Sequence, residues 1–296
     1  MVDTLAPNDV RSIYGNKGKL VLDYLVRNGF CVKEYYVDGE WIERPVGSVR
    51  GIRYAIENLK ILDDICGIIN YIDSESIQDP VKYDDIFDQF LSGRTNGCNI
   101  TFYSPWGPRY KSKRATIENG DPEITTLYQI QQTLEEFRIR GYKTSLLLMV
   151  ADTYGTEING FSEDFVLEYF RWLEDRSFQI IGRESNLSVF KWSDIRSNNS
   201  GLYTETRELA NNNFRNLVTE NEYRKAADVA RKFNPDNSEK SARNYCIERV
   251  TEGILIDLLF NPIKLSLVRK EKDALDGPLK RIYVVKNRAP WLRVIR

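Results

Sequence analysis

Ser104-Pro105-Trp106-Gly107 follows directly on the apolar run 99–103 (NITFY). A strand that ends there leaves a hydroxyl on a tight turn made of Pro and Gly. In an open parallel sheet, ligands bind beyond the carboxyl ends of the strands. A serine at that place can attack an acyl group, or its neighbouring amides can hold an anion. A second apolar run, 144–150 (TSLLLMV), leads into Ala151-Asp152-Thr153-Tyr154-Gly155. Asp152 closes a wholly apolar strand, where an acid is paired, solvated in a cleft or functional. Trp106, Gly107, Asp152, Tyr154 and Asn159 are the candidate substrate-binding residues around these two strand ends. The plain alternatives are a turn-capping serine, a turn carboxylate and a ring covering the sheet edge.

Composition narrows the chemistry. The chain has 296 residues, 42% hydrophobic and 29% charged, with net charge −1 and no histidine. Without histidine there is no Ser-His-Asp triad, no Cys-His pair and no HExxH zinc site. Acid–base work falls to Asp, Glu, Tyr, Lys or the substrate itself, and neither a metal nor a cofactor is expected. The four cysteines, Cys31, Cys66, Cys98 and Cys246, lack metal-ligand spacing and fit reduced thiols. No apolar run reaches the roughly 18–20 residues of a membrane span, and no secretory signal is visible. A cytoplasmic protein without membrane contact is expected. The near-neutral charge hides an asymmetry: residues 261–296 hold ten Lys/Arg against three Asp/Glu. Arg109, Lys111, Lys113 and Arg114 form a second basic cluster just after Ser104. Local basic faces bind phosphates even on a near-neutral chain, although solvated surface charge explains either cluster alone.

The elements that must position these residues follow from periodicity. Helices are predicted over 8–29, 48–70, 84–91, 122–140, 163–174, 205–233 and 240–260. A hairpin is predicted over 31–46 around Asp38-Gly39. Strands are predicted over 98–103, 143–150, 178–182, 187–192 and 281–285. Pro122 fits a first helical turn, Gly141 the position past a helix end, and Ser162 an N-cap. The fold class expected is α/β: a Rossmann-like parallel sheet with helices on both faces, plus an N-terminal helical and hairpin appendage. Residues 1–95 would form that appendage, packed on a catalytic domain at 96–296.

The order of elements from Thr125 to Trp172 resembles the catalytic domain of class I tyrosyl- and tryptophanyl-tRNA synthetases. It holds a helix ending at Gly141, a strand ending at Asp152, Asn159-Gly160, and a helix opening at Ser162. The HIGH element of those enzymes needs histidine, and Lys111-Ser112-Lys113 is misplaced for KMSKS. The tRNA-dependent cyclodipeptide synthases keep the scaffold without ATP. Tyr103-Ser104-Pro105-Trp106-Gly107 is similar to their acyl-accepting serine element, and 261–285 to their closing segment. The resemblance implies an ATP-independent aminoacyl transferase that forms a cyclic dipeptide from aminoacyl-tRNA through an ester on Ser104. It implies Tyr245 with Glu248 or Glu252 as the groups that hold the α-ammonium and move protons. The spacing departs from the family, which places one more residue between its Tyr and Glu than separates Tyr245 and Glu248. Arg109, Lys111, Lys113, Arg114, Lys264, Arg269 and Lys270 would contact the tRNA backbone. Two alternatives stand beside this: a non-catalytic nucleotide- or tRNA-binding protein, and an isonitrile synthase-like enzyme acting on a free amino acid. Mutual facing of Ser104 and the Tyr245/Glu248/Glu252 group across one pocket would favour chemistry.

Overall fold

The computed structural model describes residues 31–37, 40–45, 80–108, 121–182, 186–233, 235–266, 275 and 278–283. The helices expected over 8–29 and 48–70 lie outside the described residues. The hairpin is present as β1 (Cys31–Val37) and β2 (Glu40–Pro45), paired antiparallel.

The rest is a doubly wound α/β fold, Rossmann-like, as its patterning predicts. Its strands are β3 (Asn99–Trp106), β4 (Lys143–Val150), β5 (Leu187–Lys191), β6 (Ile263–Ser266) and β7 (Lys280–Tyr283). They form a five-stranded sheet in the order β5-β4-β3-β6-β7, with every neighbouring pair parallel. The chain winds outward from β3 to β5, returns, and winds the other way from β6 to β7. The direction therefore reverses beside β3, and the crevice at the carboxyl end of β3 is where such sheets bind ligands.

Parallel strands need crossovers, and these are helices. They are α1 (Pro80–Asn96), α2 (Asp121–Ile139), α3 (Glu163–Ile181), α4 (Trp192–Asn198), α5 (Ser200–Asn212), α6 (Phe214–Leu217), α7 (Glu220–Phe233) and α8 (Ser238–Phe260). Local sequence sets several ends. Gly141, at φ 88°, follows α2, and Ser162 caps α3 by accepting from the Phe165 N–H. Side chains alternate along β3. Phe102 packs on Phe90 of α1 and Phe137 of α2, with Tyr142 edge-on to both helical rings. Tyr103 points the other way, into a cluster with Met149, Trp192, Leu255 and Ile256. One face of the sheet is thus covered by α1 and α2, the other by α8.

α8 is buried almost all round: Ala242, Cys246, Ile247 and Val250 pack with α5 and α7, while Leu255 and Ile256 meet the sheet. Ala226, Ala227 and Ala230 give α7 a small-residue face against it. α1 spans the expected boundary at residues 95 and 96, and its Phe90 lies in the core.

Four expectations are corrected. β3 runs on through Ser104 to Trp106, so Ser104 lies within the strand and not on a turn after it. Along β3, β6 pairs only with Phe102 and Tyr103, which leaves room beside the end of β3 for Pro105 in a central strand. Residues 178–182 are not a strand. Ile181 completes the buried stripe Val166, Tyr169, Leu173, Ser177 and Ile181 of α3, and Gly182 ends it at φ 89°. The stretch after Asp152, assigned neither helix nor strand, holds a π-helix, Tyr154–Ile158, and the single helix expected over 205–233 divides among three. The short strand β6 had no expectation at all.

Candidate functional site

Ser104 is fully buried, and its Oγ accepts from Trp106 Nε1 at 2.8 Å. The shared bond fits alternation: Phe102, Ser104 and Trp106 lie on the α1/α2 side of β3. The register with β4 runs from Asn99 to Trp106 without a bulge, so nothing reverses that parity. Ser104 therefore faces away from α8. Of the amides next to Ser104, Pro105 has no N–H and Trp106 belongs to the strand.

The glutamates are on the opposite face. Glu248 and Glu252 stand one turn apart on α8, so their side chains share a stripe. Both are buried, at 5% and 1% exposed. Glu252 Oε1 accepts from the Tyr103 hydroxyl at 2.9 Å and from Arg249 Nη1 at 2.8 Å. Its Oε2 accepts from the Tyr154 hydroxyl at 2.8 Å. Three donors on one buried carboxylate satisfy the need of a charge out of water. Burial first, and the Glu252 charge next, hold the Tyr154 phenol well above the usual tyrosine range. The Tyr245 ring, edge-on at 5.7 Å, packs beside Tyr154.

Glu248 has a different environment. Its Oε1 accepts from Trp192 Nε1 at 2.7 Å, and its Oε2 from the Tyr203 hydroxyl at 2.9 Å. Arg196 Nη1 and Arg207 Nε each lie 3.6 Å from it. Arg196 also bonds Glu157 at 3.0 Å and covers the Tyr203 ring at 4.7 Å. Burial works against the Arg196 charge, and Glu248, Tyr203 and Glu157 together outweigh it, so its pKa is raised. Burial and then Glu248 push the Tyr203 phenol up strongly. Arg196, Tyr203 and Arg207 also line a cleft of about 310 Å³, with Glu157 and Glu208 on its walls. Glu248 is thus the carboxylate behind an open cleft, whereas Glu252 is sealed.

The other expected residues take separate places. Asp152, half-buried, accepts the Ser193 N–H at 3.0 Å and so ties the end of β4 to the first turn of α4. This is the turn-carboxylate role. The Asn159 N–H closes the π-helix on the Tyr154 carbonyl at 2.9 Å. Trp106 is buried and Gly107 half-buried. Lys264 is buried in β6 beside Tyr103. Arg109, Lys111, Lys113, Arg114, Arg269 and Lys270 lie outside the described residues. Ser104 and the glutamates do not face each other: by strand parity Ser104 looks to the α1/α2 side, whereas Tyr154 bonds Glu252 on the other face. Sequence reasoning missed Tyr103, Trp192, Tyr203, Arg196 and Arg249. Two of them carried a signal, since a Tyr or Trp in an apolar strand or at its end needs a polar partner once buried. Among the described residues, no His/Cys/Asp/Glu group could hold a metal ion, and no helix is long and apolar enough to cross a membrane.

No protein-family model and no curated protein matches the chain. Among solved structures, the chain is similar to the PvcA protein from Pseudomonas aeruginosa. The TM-score is 0.52 at 14% identity, over 77% of this chain and 84% of that one. It is also similar to AlbC, a cyclodipeptide synthase from Streptomyces noursei, at TM-score 0.41 and 13% identity, over 64% of this chain and 96% of that one. At such identities the likeness speaks to fold alone, and at 0.41 the second adds no weight.

Proposed function

We propose that the protein is an enzyme of amino-acid chemistry. It takes a free amino acid, or the aminoacyl end of a charged tRNA, in the cleft in front of Glu248. One observation carries this reading. Arg196 and Arg207 share that cleft with Glu157 and Glu208, over a buried carboxylate. Walls of both signs fit a small molecule that bears a carboxylate and an ammonium group. In an aminoacyl ester the carboxylate is gone, and the arginines would face nucleotide phosphate instead.

The chemistry begins with the amine. An ammonium must lose a proton before its nitrogen can attack an acyl carbon. Tyr203 spans the distance between cleft and carboxylate. Its phenol gives its proton to Glu248 while taking one from the ammonium, which leaves a neutral amine, a neutral phenol and a protonated Glu248. A tyrosine phenol is protonated at neutral pH, as the relay requires, and burial and Glu248 raise the Tyr203 pKa further. Glu252, with Tyr103, Tyr154 and Arg249, holds the floor of the site rigid.

A second reading is transfer from aminoacyl-tRNA through an ester on Ser104, without ATP, releasing a cyclic dipeptide. Its favouring observation is that Ser104 stands near the carboxyl end of β3, where the winding reverses, next to an indole donor. It also carries a condition: the strand end must turn over, because Ser104 is buried on the face away from Glu248. Two measurements separate the readings. Calorimetric titration with the free amino acids is expected to show saturable binding that Arg207→Ala weakens. Incubation with mixed aminoacyl-tRNAs, followed by intact-mass measurement, gives an aminoacyl mass increase on Ser104 only under the second reading. Failure of both experiments overturns the amino-acid assignment.

A further inference from the structure

We propose that the cleft between the α5–α6 turn and α8 is a nucleotide site, with a platform for the base and a cation for the phosphate. The cleft measures about 410 Å³, within the range of small-molecule sites. Arg243, on α8, lays its guanidinium over the Phe214 ring at 4.3 Å. The same ring meets Tyr223 edge-on at 6.0 Å, which fixes its tilt. Both Arg243 and Phe214 line the cleft, so together they offer it a flat cationic surface. Bases stack on aromatic rings and on guanidinium planes alike.

The rest of the wall is amide. Asn211 Oδ1 accepts from Arg243 Nη2 at 3.0 Å, which locks the guanidinium and turns the Asn211 NH₂ away from it. Asn213 is fixed by its bond to the Leu209 carbonyl at 3.0 Å. Asn212 and Asn216, both exposed, add a donor and an acceptor each. Carboxamides pair with the donor and acceptor edges of a base. Arg215 supplies the second positive charge, and no Asp or Glu lines the cleft. An inorganic anion has no use for a platform and four amides, and an apolar ligand has no use for two cations. A nucleoside phosphate uses all of them. Asn211 also lines the cleft in front of Glu248, so the two cavities adjoin. The inference goes beyond the amino-acid reading and does not rest on it.

The ligand chemistry is shared by a free mononucleotide and by the end of a single-stranded RNA. Calorimetry on the full chain distinguishes them. The ligands are the four ribonucleoside monophosphates, a single-stranded RNA trinucleotide, ribose 5-phosphate and inorganic phosphate. At least one monophosphate should bind about tenfold or more tighter than ribose 5-phosphate, the margin a stacked base supplies. Arg243→Lys keeps the charge but removes the plane, and should erase that margin. Arg215→Ala should weaken nucleotide and ribose 5-phosphate alike. A trinucleotide that binds tighter than any monophosphate assigns the site to RNA; the reverse assigns it to a free nucleotide. Equal binding of base-bearing and base-free phosphates overturns the inference, as does no nucleotide binding at all. The wild-type comparison decides this even if a variant folds poorly. A protein that binds a nucleotide here but no amino acid retains this site and loses the other reading.

Discussion

The Tyr103 phenol donates to Glu252 Oε1 at 2.9 Å, joining residues 149 positions apart and pinning α8 to the central strand. This contact fixes which face of the sheet carries the glutamates. The same strand then turns its next residue, Ser104, to the other face. The pin should be measurable. Tyr103→Phe removes one donor from a carboxylate that keeps Tyr154 and Arg249, and should cost about 1–3 kcal/mol. Glu252→Ala removes the carboxylate from Arg249, whose side chain is 11% exposed, and from two phenols. It should cost about 3–5 kcal/mol, the scale for breaking a buried pair. Urea unfolding midpoints check both values and their order.

The two raised phenols make a pH prediction. A tyrosine is neutral when protonated, and burial first, then Glu252, raises Tyr154 when folded. Burial and Glu248 do the same for Tyr203. The folded state then binds more protons than the unfolded state above the unfolded tyrosine pKa of about 10. Their stabilising contribution is complete below that value and is lost as pH rises from it toward the folded pKa. Stability should fall on the alkaline side, less steeply in Tyr154→Phe and Tyr203→Phe. In the native protein these phenols should show no tyrosinate absorbance until the chain unfolds.

Much of this frame was legible because it is local. The crossover between 99 and 150 follows from two apolar runs and a helix with Pro122 at its start and Gly141 past its end. The Ser162 cap follows from spacing alone, whereas Glu248 and Glu252 enter through the family resemblance. The site was not legible, for two physical reasons. Which face Ser104 takes depends on strand parity, and the extension of β3 to Trp106 placed a turn residue inside a strand. The partners of the glutamates are also remote in sequence: Trp192 and Tyr203 reach Glu248 only after β5, α4 and α5 are laid against α8. The strand misread at 178–182 has a simpler cause. A short apolar run such as Phe178 to Ile181 does not by itself distinguish the last turn of a helix from a strand.

The π-helix after Asp152 gives a packing prediction. Gly155 is buried there, and a Cβ on it would come within 2.8 Å of Pro108 Cγ and 2.9 Å of Val166 Cγ2. Pro108 follows β3 and Val166 belongs to α3, so the glycine lets two elements close over the turn that carries Tyr154. Gly155→Ala should destabilise by about 1–3 kcal/mol, the range for overpacking. It should also shift Tyr154 and weaken amino-acid binding. Gly160→Ala is a contrasting control. Its added Cβ meets nothing within 4 Å, and only its positive φ of 68° is strained. Thermal melts with amino-acid titrations on the two variants separate packing from backbone strain.

Ser104 decides between the two readings of function. In the zwitterion reading, Ser104 is the acceptor that satisfies a buried indole N–H. Ser104→Ala then removes the hydroxyl that Trp106 Nε1 donates to and lowers stability by about 1–3 kcal/mol. Binding and turnover per folded molecule should be unchanged, because the serine lies on the far side of the sheet from Glu248. The double variant Ser104→Ala/Trp106→Phe removes both partners, so its cost should be smaller than the sum of the two single costs. In the ester reading the stability loss is the same, but product vanishes and no aminoacyl mass is captured on the protein. Arg207→Ala responds oppositely: stability barely moves, since its side chain is 43% exposed, while amino-acid binding weakens about tenfold or more. Finding instead that Ser104→Ala abolishes turnover and Arg207→Ala does nothing would move the reaction to the other face of the sheet.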